Sequence, residues 1–131
     1  MAEQRIISKI VVDSDMFLEM PISSQALYFH LIMRADDDGF VGNPLSIQRM
    51  IGARDDDMRL LVKKKYIIPF ESGIVAIRHW KMHVAVSEDR YEETIYRREK
   101  KMILADEEYE PQKSGLGVWK NILTQNCKQE A

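Results

Sequence analysis

Leu27, Tyr28, Leu31, Ile32 and Ala35 recur three and four residues apart, so residues 25–35 predict an amphipathic helix with one buried face. Pro21 breaks the preceding segment, and Ser23 or Ser24 is placed to cap the helix start. Upstream, residues 5–12 alternate loosely and are rich in Ile and Val, which predicts a short extended stretch. Asp13, Ser14 and Asp15 suit a capped turn into residues 16–20. Asp36-Asp37-Asp38-Gly39 closes the helix as a polar turn, and Phe40-Val41-Gly42 predicts a very short strand.

Two further helices follow closely. Asn43 caps the first and Pro44 is tolerated in its opening turn; Leu45, Ile47, Met50 and Ile51 form its inner face, and Gly52 ends it. The next spans residues 54–65, with Met58, Leu61 and Val62 inward. Its acids Asp55, Asp56 and Asp57 sit in the first turn and Lys63, Lys64 and Lys65 in the last, matching the helix dipole at both ends. Two short helices joined through a glycine are the helix–turn–helix pattern. The period then changes. Tyr66-Ile67-Ile68-Pro69-Phe70 and Ile74-Val75-Ala76-Ile77 read as strands around the turn Glu71-Ser72-Gly73, with Trp80 packing the hairpin onto the core. This order predicts an α+β fold, mainly α, a winged helix–turn–helix over residues 1–84. Residues 85–106 are highly charged, with sparse Ile95, Met102 and Ile103, and predict a C-terminal helical arm. Residues 107–131, with Pro111, Ser114, Gly115 and Gly117, predict a flexible tail holding at most a short helix near Val118 and Trp119.

Composition narrows the chemistry. Of 131 residues, 45% are hydrophobic and 31% charged, the balance of an ordinary globular domain with a tail. The apolar runs are too short to cross a bilayer and the start carries no secretory pattern, so the expectation is a cytoplasmic protein with no membrane contact. The single cysteine, Cys127, has no partner for a disulfide or a CxxC site, and three histidines are too few for most zinc centres. His30 falls near the apolar stripe and reads as a packed core residue rather than a ligand. Adjacent carboxylates such as Asp36-Asp37-Asp38 cannot all face one cation, so a polar turn is the better reading. Phosphate-cradling, zincin and nucleophile-elbow motifs are absent from the sequence. The expectation is a protein that binds rather than catalyses, with no cofactor, metal or catalytic residue.

A net charge of −2 argues against a protein that coats nucleic acid indiscriminately. Any DNA contact must come from a local basic face. One is available, because the stretch from Arg49 to Lys65 holds six basic residues against three acidic ones, with the acids together at one end and the three lysines at the other.

Four runs together resemble a known family. They are Ser46-Ile47-Gln48-Arg49-Met50-Ile51-Gly52-Ala53, Asp56-Asp57-Met58-Arg59-Leu60-Leu61, Ile67 through Val75 with Ile77-Arg78-His79-Trp80, and Asp89-Arg90-Tyr91 with Thr94, Tyr96, Glu99 and Lys100. The chain is similar over residues 5–104 to the N-terminal domain of phage replisome organisers, related to DnaD-type primosome proteins. The resemblance implies a winged helix at the front of a replication initiation protein. Such proteins bind origin DNA, self-associate, and engage a helicase-loading or other replication protein.

On that reading Arg49, Arg54, Arg59, Lys63, Lys64 and Lys65, with Arg78 and Lys81 at the base of the wing, are the expected DNA contacts. A winged helix places the N-terminal part of its third helix nearest the bases. Here that part carries Asp55, Asp56 and Asp57, which phosphates would repel, so the acids read as helix-start charges and phosphate contact is favoured over base readout. Arg90, Tyr91, Tyr96, Arg97 and Arg98 are the expected oligomer or arm contacts, although a charge run is often only a solvated helix face. Two alternatives stay open: a protein-interaction module on the same scaffold, acting as regulator or inhibitor of a replication or defence protein, and a transcriptional repressor.

Overall fold

A computed structural model describes residues 4–83, 91–103 and Trp119. They form an α+β fold in which helices surround one small antiparallel sheet. Helices α1 (Lys9–Val12) and α2 (Asp15–Leu18) are single turns leading into α3 (Ile22–Met33). Strand β1 (Phe40–Val41), helices α4 (Pro44–Met50) and α5 (Asp55–Lys63), and strands β2 (Ile67–Pro69) and β3 (Val75–Ile77) follow in that order. Helix α6 (Trp80–His83) comes next, and α7 (Arg97–Lys101) lies in the later segment.

Strand β3 lies between its neighbours in the order β1-β3-β2, with Phe40 opposite Ala76 and Ile67 opposite Ile77. Every residue of β3 is buried, as a central strand covered on both faces requires. The α3 stripe is buried as its spacing predicts, and α3 packs against both α4 and α5. Phe17, Tyr28 and Tyr66 meet edge to face, with ring centroids 5.4–5.6 Å apart. Trp119 is also buried in the core cluster; the rest of the expected tail, residues 107–131, lies outside the described residues, as does the start of the expected arm.

Four local expectations need correcting. The predicted extended stretch ends instead in α1, because the Ser8 carbonyl accepts from the amides of Val11 and Val12. Helix α3 begins at Ile22 with Pro21 in the cap position, so Ser23 and Ser24 lie inside its first turn. Their hydroxyls are not caps: both donate across to Asp57 Oδ1, at 2.7 and 2.8 Å. In α4, Pro44, Ile47 and Gln48 face inward at the spacing i, i+3, i+4, leaving Met50 67% exposed. Gln48 is drawn in because its amide reaches Asp55 Oδ1 at 2.8 Å. His30 is a half-buried partner of Arg34, 2.9 Å away, rather than a core residue.

His83 joins the two ends of this unit. The Ser8 amide donates to its Nδ1 at 2.8 Å, so Nε2 carries the proton and donates to Tyr28 Oη at 2.7 Å. Burial, with the neighbouring His79 as a lesser cause, holds the imidazole down to about 4. A base kept neutral in the fold stabilises fully above its unfolded value of about 6.5, and that stability is lost as the unfolded chain takes up the proton below it. Unfolding free energy is expected to fall by about 2 kcal/mol between pH 7.5 and pH 5. His83→Gln should flatten that part of the curve in urea titrations; a wild-type curve already flat there contradicts the assignment.

Candidate nucleic-acid interface

Helices α4 and α5 end in the same motif, with different residues. At the end of α4 the Gly52 amide bonds to the Arg49 carbonyl and Ala53 to Gln48; at the end of α5 Lys65 bonds to Val62 and Tyr66 to Leu61. Both are Schellman closures, in which the residue after the cap adopts a left-handed conformation. Gly52 does so at φ 76°, without penalty. Lys65 does so at φ 65° and is the only non-glycine with positive φ among the described residues. A lysine there costs roughly 1 kcal/mol relative to glycine.

That geometry turns Lys64 and Lys65 into the rim of a groove of about 350 Å3. Arg78 joins them, because its amide bonds the Tyr66 carbonyl and continues the sheet edge at the hairpin base. Ile10, Met16 and Met82 supply apolar lining, and Tyr66 and His79 line the groove as well, their ring centroids 5.6 Å apart. Lys63 in the last turn of α5 and Lys81 in α6 are exposed beside the rim residues in sequence.

The start of α5 is occupied differently. Asp57 is buried and accepts from the Arg54 amide at 2.9 Å as well as from Ser23 and Ser24. Burial pushes its carboxyl up, but these hydrogen bonds and the Arg54 charge outweigh it and leave the group below its ordinary range. Asp56 pairs with Arg59, and Asp55 accepts from Gln48. Asp57 therefore fastens α5 to α3 and Asp55 fastens it to α4, while Asp56 is paired within the helix. Arg54 sits at this same start, and exposed Arg49 lies next to Gln48 in the last turn of α4. The eight expected DNA contacts are thus split: Lys64, Lys65 and Arg78 meet at one groove, while Arg49, Arg54 and Arg59 belong to the other end of α5.

The arm contacts resolve into an intramolecular clamp. Tyr91 Oη donates to both oxygens of Asp38 at 2.7 Å, the Thr94 amide donates to Asp38 Oδ2 at 2.8 Å, and the Glu92 amide donates to Asp37 Oδ2 at 3.0 Å. Thr94 Oγ1 donates to Asp36, and Lys100 Nζ lies 3.3 Å from Asp38 and 3.0 Å from Tyr91 Oη. Burial opposes the Lys100 ammonium, but Tyr91 and Asp38 outweigh it and keep the group charged. Tyr96 packs its ring 6.2 Å from Phe40. Arg97 and Arg98 are exposed, with Arg97 3.6 Å from Glu93; Arg90 lies outside the described residues.

The same turn holds the chain start. Arg5 donates to the Ala35 carbonyl at 2.6 Å, lies 3.2 Å from Asp37 and stacks over Trp80 at 5.2 Å. Trp80 Nε1 in turn donates to the Asp37 carbonyl at 3.0 Å. Gly39, at φ 85°, lets the Trp80 ring approach so closely that a Cβ would fall 2.5 Å from Cγ. Sequence reasoning reads Asp36, Asp37 and Asp38 as a solvated turn and assigns no role to Thr94, Met16 or Met82. The partners of the three aspartates outside the turn and β1 lie 32 or more residues away along the chain, beyond the reach of local pattern.

Among the described residues no helix is long and apolar enough to cross a membrane, and no group of His, Cys, Asp and Glu side chains is placed to hold a metal ion. Comparison with protein-family models, with curated proteins and with solved structures finds no match.

If Asp38 is what holds the arm, Asp38→Ala leaves Tyr91, the Thr94 amide and Lys100 without their acceptor. Hydrogen exchange at the Thr94 amide should accelerate by at least tenfold, and global stability should fall by about 2–3 kcal/mol. Unchanged protection at Thr94 would mean that the arm is held by other contacts.

Proposed function

We propose that this chain is a winged helix–turn–helix domain that binds DNA through its phosphate backbone, serving a phage-type replication initiation protein. The observation that carries this reading is the meeting of Lys64, Lys65 and Arg78 at one groove, while the acids of α5 lie at the opposite end, Asp57 and Asp55 bonded to α3 and α4 and Asp56 paired with Arg59. Helices α4 and α5, followed by the hairpin of β2 and β3 with β1 as the third strand, follow the element order of a winged helix. The similarity of the helix–turn–helix, hairpin and post-hairpin runs to replisome organisers supplies the replication context, and a cytoplasmic setting goes with it.

Backbone contact accounts for the charge arrangement better than base readout does. In the first turn of α5 the carboxylates accept from Gln48, Arg54, Ser23 and Ser24 or pair with Arg59, and the three lysines stand at the opposite end. Lysines on phosphates give affinity and salt dependence without sequence preference. Self-association belongs to the same proposal. Leu18 and Ile22, at 55% and 83% exposure, leave apolar surface outside the groove of the kind that protein contacts cover. A helicase-loading or other replication protein is the alternative occupant of that surface.

The left-handed lysine gives a direct test. Lys65→Gly should stabilise the fold by about 1 kcal/mol while weakening DNA binding several-fold. Lys65→Gln should weaken binding equally without the stability gain. Both are read by thermal unfolding and by fluorescence anisotropy with DNA. With three phosphate contacts the log–log salt slope should be about −2 to −3, flattening when Lys64, Lys65 and Arg78 are replaced together by Gln. Binding that ignores both salt and these substitutions would remove the DNA reading.

A further inference from the structure

The groove holds more than a phosphate needs. A surface that meets only a duplex backbone requires exposed cations, not a cavity, yet Lys64, Lys65 and Arg78 surround about 350 Å3 of space, within the size range of small-ligand sites. Its walls suit a flat aromatic guest. Met16 and Met82 offer polarisable sulfur surfaces, which make favourable contacts with π faces. The half-buried His79 ring stands at the edge of the cavity, backed by Tyr66. An aromatic side chain beside a cationic groove is the combination by which proteins hold unpaired nucleotides, the cations tracking the backbone and the ring taking a base; here His79 is that ring and the two methionines flank it.

We infer that this groove seats an unpaired nucleobase, so that the domain prefers single-stranded DNA to duplex. The inference rests on the phosphate-binding reading above and adds the class of nucleic acid. A duplex keeps its base faces stacked inside and reaches only the rim. A single strand can turn one base against Met16, Met82 and His79 while its flanking phosphates remain on Lys64, Lys65 and Arg78. The cations also continue beyond the groove: Lys63 lies one residue before Lys64, and Lys81 three residues after Arg78. A rim extended in this way favours a long polyanion over the isolated carboxylate of a peptide side chain. Met16 is half exposed and lies outside the buried core, so its side chain can be changed without opening that core.

The test uses the full chain and three fluorescent probes of equal length: a thymidine oligonucleotide, the same backbone with abasic sites, and a duplex. The expected result is binding of the thymidine strand at least about fivefold tighter than either of the others, the scale of one stacked base. Met16→Ser should weaken binding of the thymidine strand several-fold more than binding of the duplex, with thermal stability unchanged; an equal loss for both would overturn the inference. Equal affinity for the abasic and the base-bearing strand, or tighter binding of duplex, would overturn the inference and leave the phosphate-binding reading standing. Absence of binding to all three probes would remove both. Capture of a polyglutamate peptide in preference to every nucleic acid would assign the groove to an acidic protein partner and overturn the inference as well.

Discussion

Buried carboxylates need donors, and the Asp36–Asp38 turn obtains donors for its carboxylates and for its Asp37 backbone carbonyl from three distant parts of the chain. Taking an ionised carboxylate out of water costs several kcal/mol unless charge and hydrogen bonds replace the lost solvation. Asp37 and Asp38 are almost completely buried. Arg5 comes from the chain start, Trp80 from the segment after the hairpin, and Tyr91, Thr94 and Lys100 from the arm. Each of these segments is short and could not be held by apolar burial alone. The turn therefore fixes where the chain start and the arm lie against the sheet, and Gly39 inside it admits the Trp80 ring.

The same use of acids explains the asymmetry of α5. Its N-terminal carboxylates serve architecture: Asp57 links to α3 through two serines, and Asp55 to α4 through Gln48. What remains for an external partner is the C-terminal end, where cations also suit the helix dipole. The contrast between Gly52 and Lys65 sharpens this point. Two helices end in one motif, and the one at the groove keeps a residue that the conformation disfavours. Local strain retained where a ligand would sit is a common trade of stability for function.

Much of the fold was legible because it follows from periodicity and from turn chemistry. Leu27, Tyr28, Leu31, Ile32 and Ala35 locate α3, Gly52 ends α4, and the hairpin follows from two apolar runs around Glu71-Ser72-Gly73. Residues whose roles depend on distant partners were not legible. Ser23 and Ser24 look like caps until Asp57 is placed beside them, and Met50 looks like core until the Gln48 amide finds Asp55. Arg5 sits in a run rich in Ile and Val that reads as strand, yet its guanidinium is buried between Asp37 and Trp80. Of the candidate site, the lysines could be named from charge segregation, and Arg78 from its place at the base of the expected wing. The apolar wall could not, since Met16 and Met82 are drawn together only by the tertiary fold.

An amide chemical-shift titration of the labelled chain with a thymidine oligonucleotide tests the central claim most directly, because it reads both ends of α5 in one experiment. The account requires the largest shifts at Lys64, Lys65, Tyr66, Arg78 and His79, with Asp55, Asp56 and Asp57 and the Asp36–Asp38 turn nearly unmoved. Shifts concentrated instead at Arg54 and the first turn of α5 would contradict it, and would restore base readout by the recognition helix.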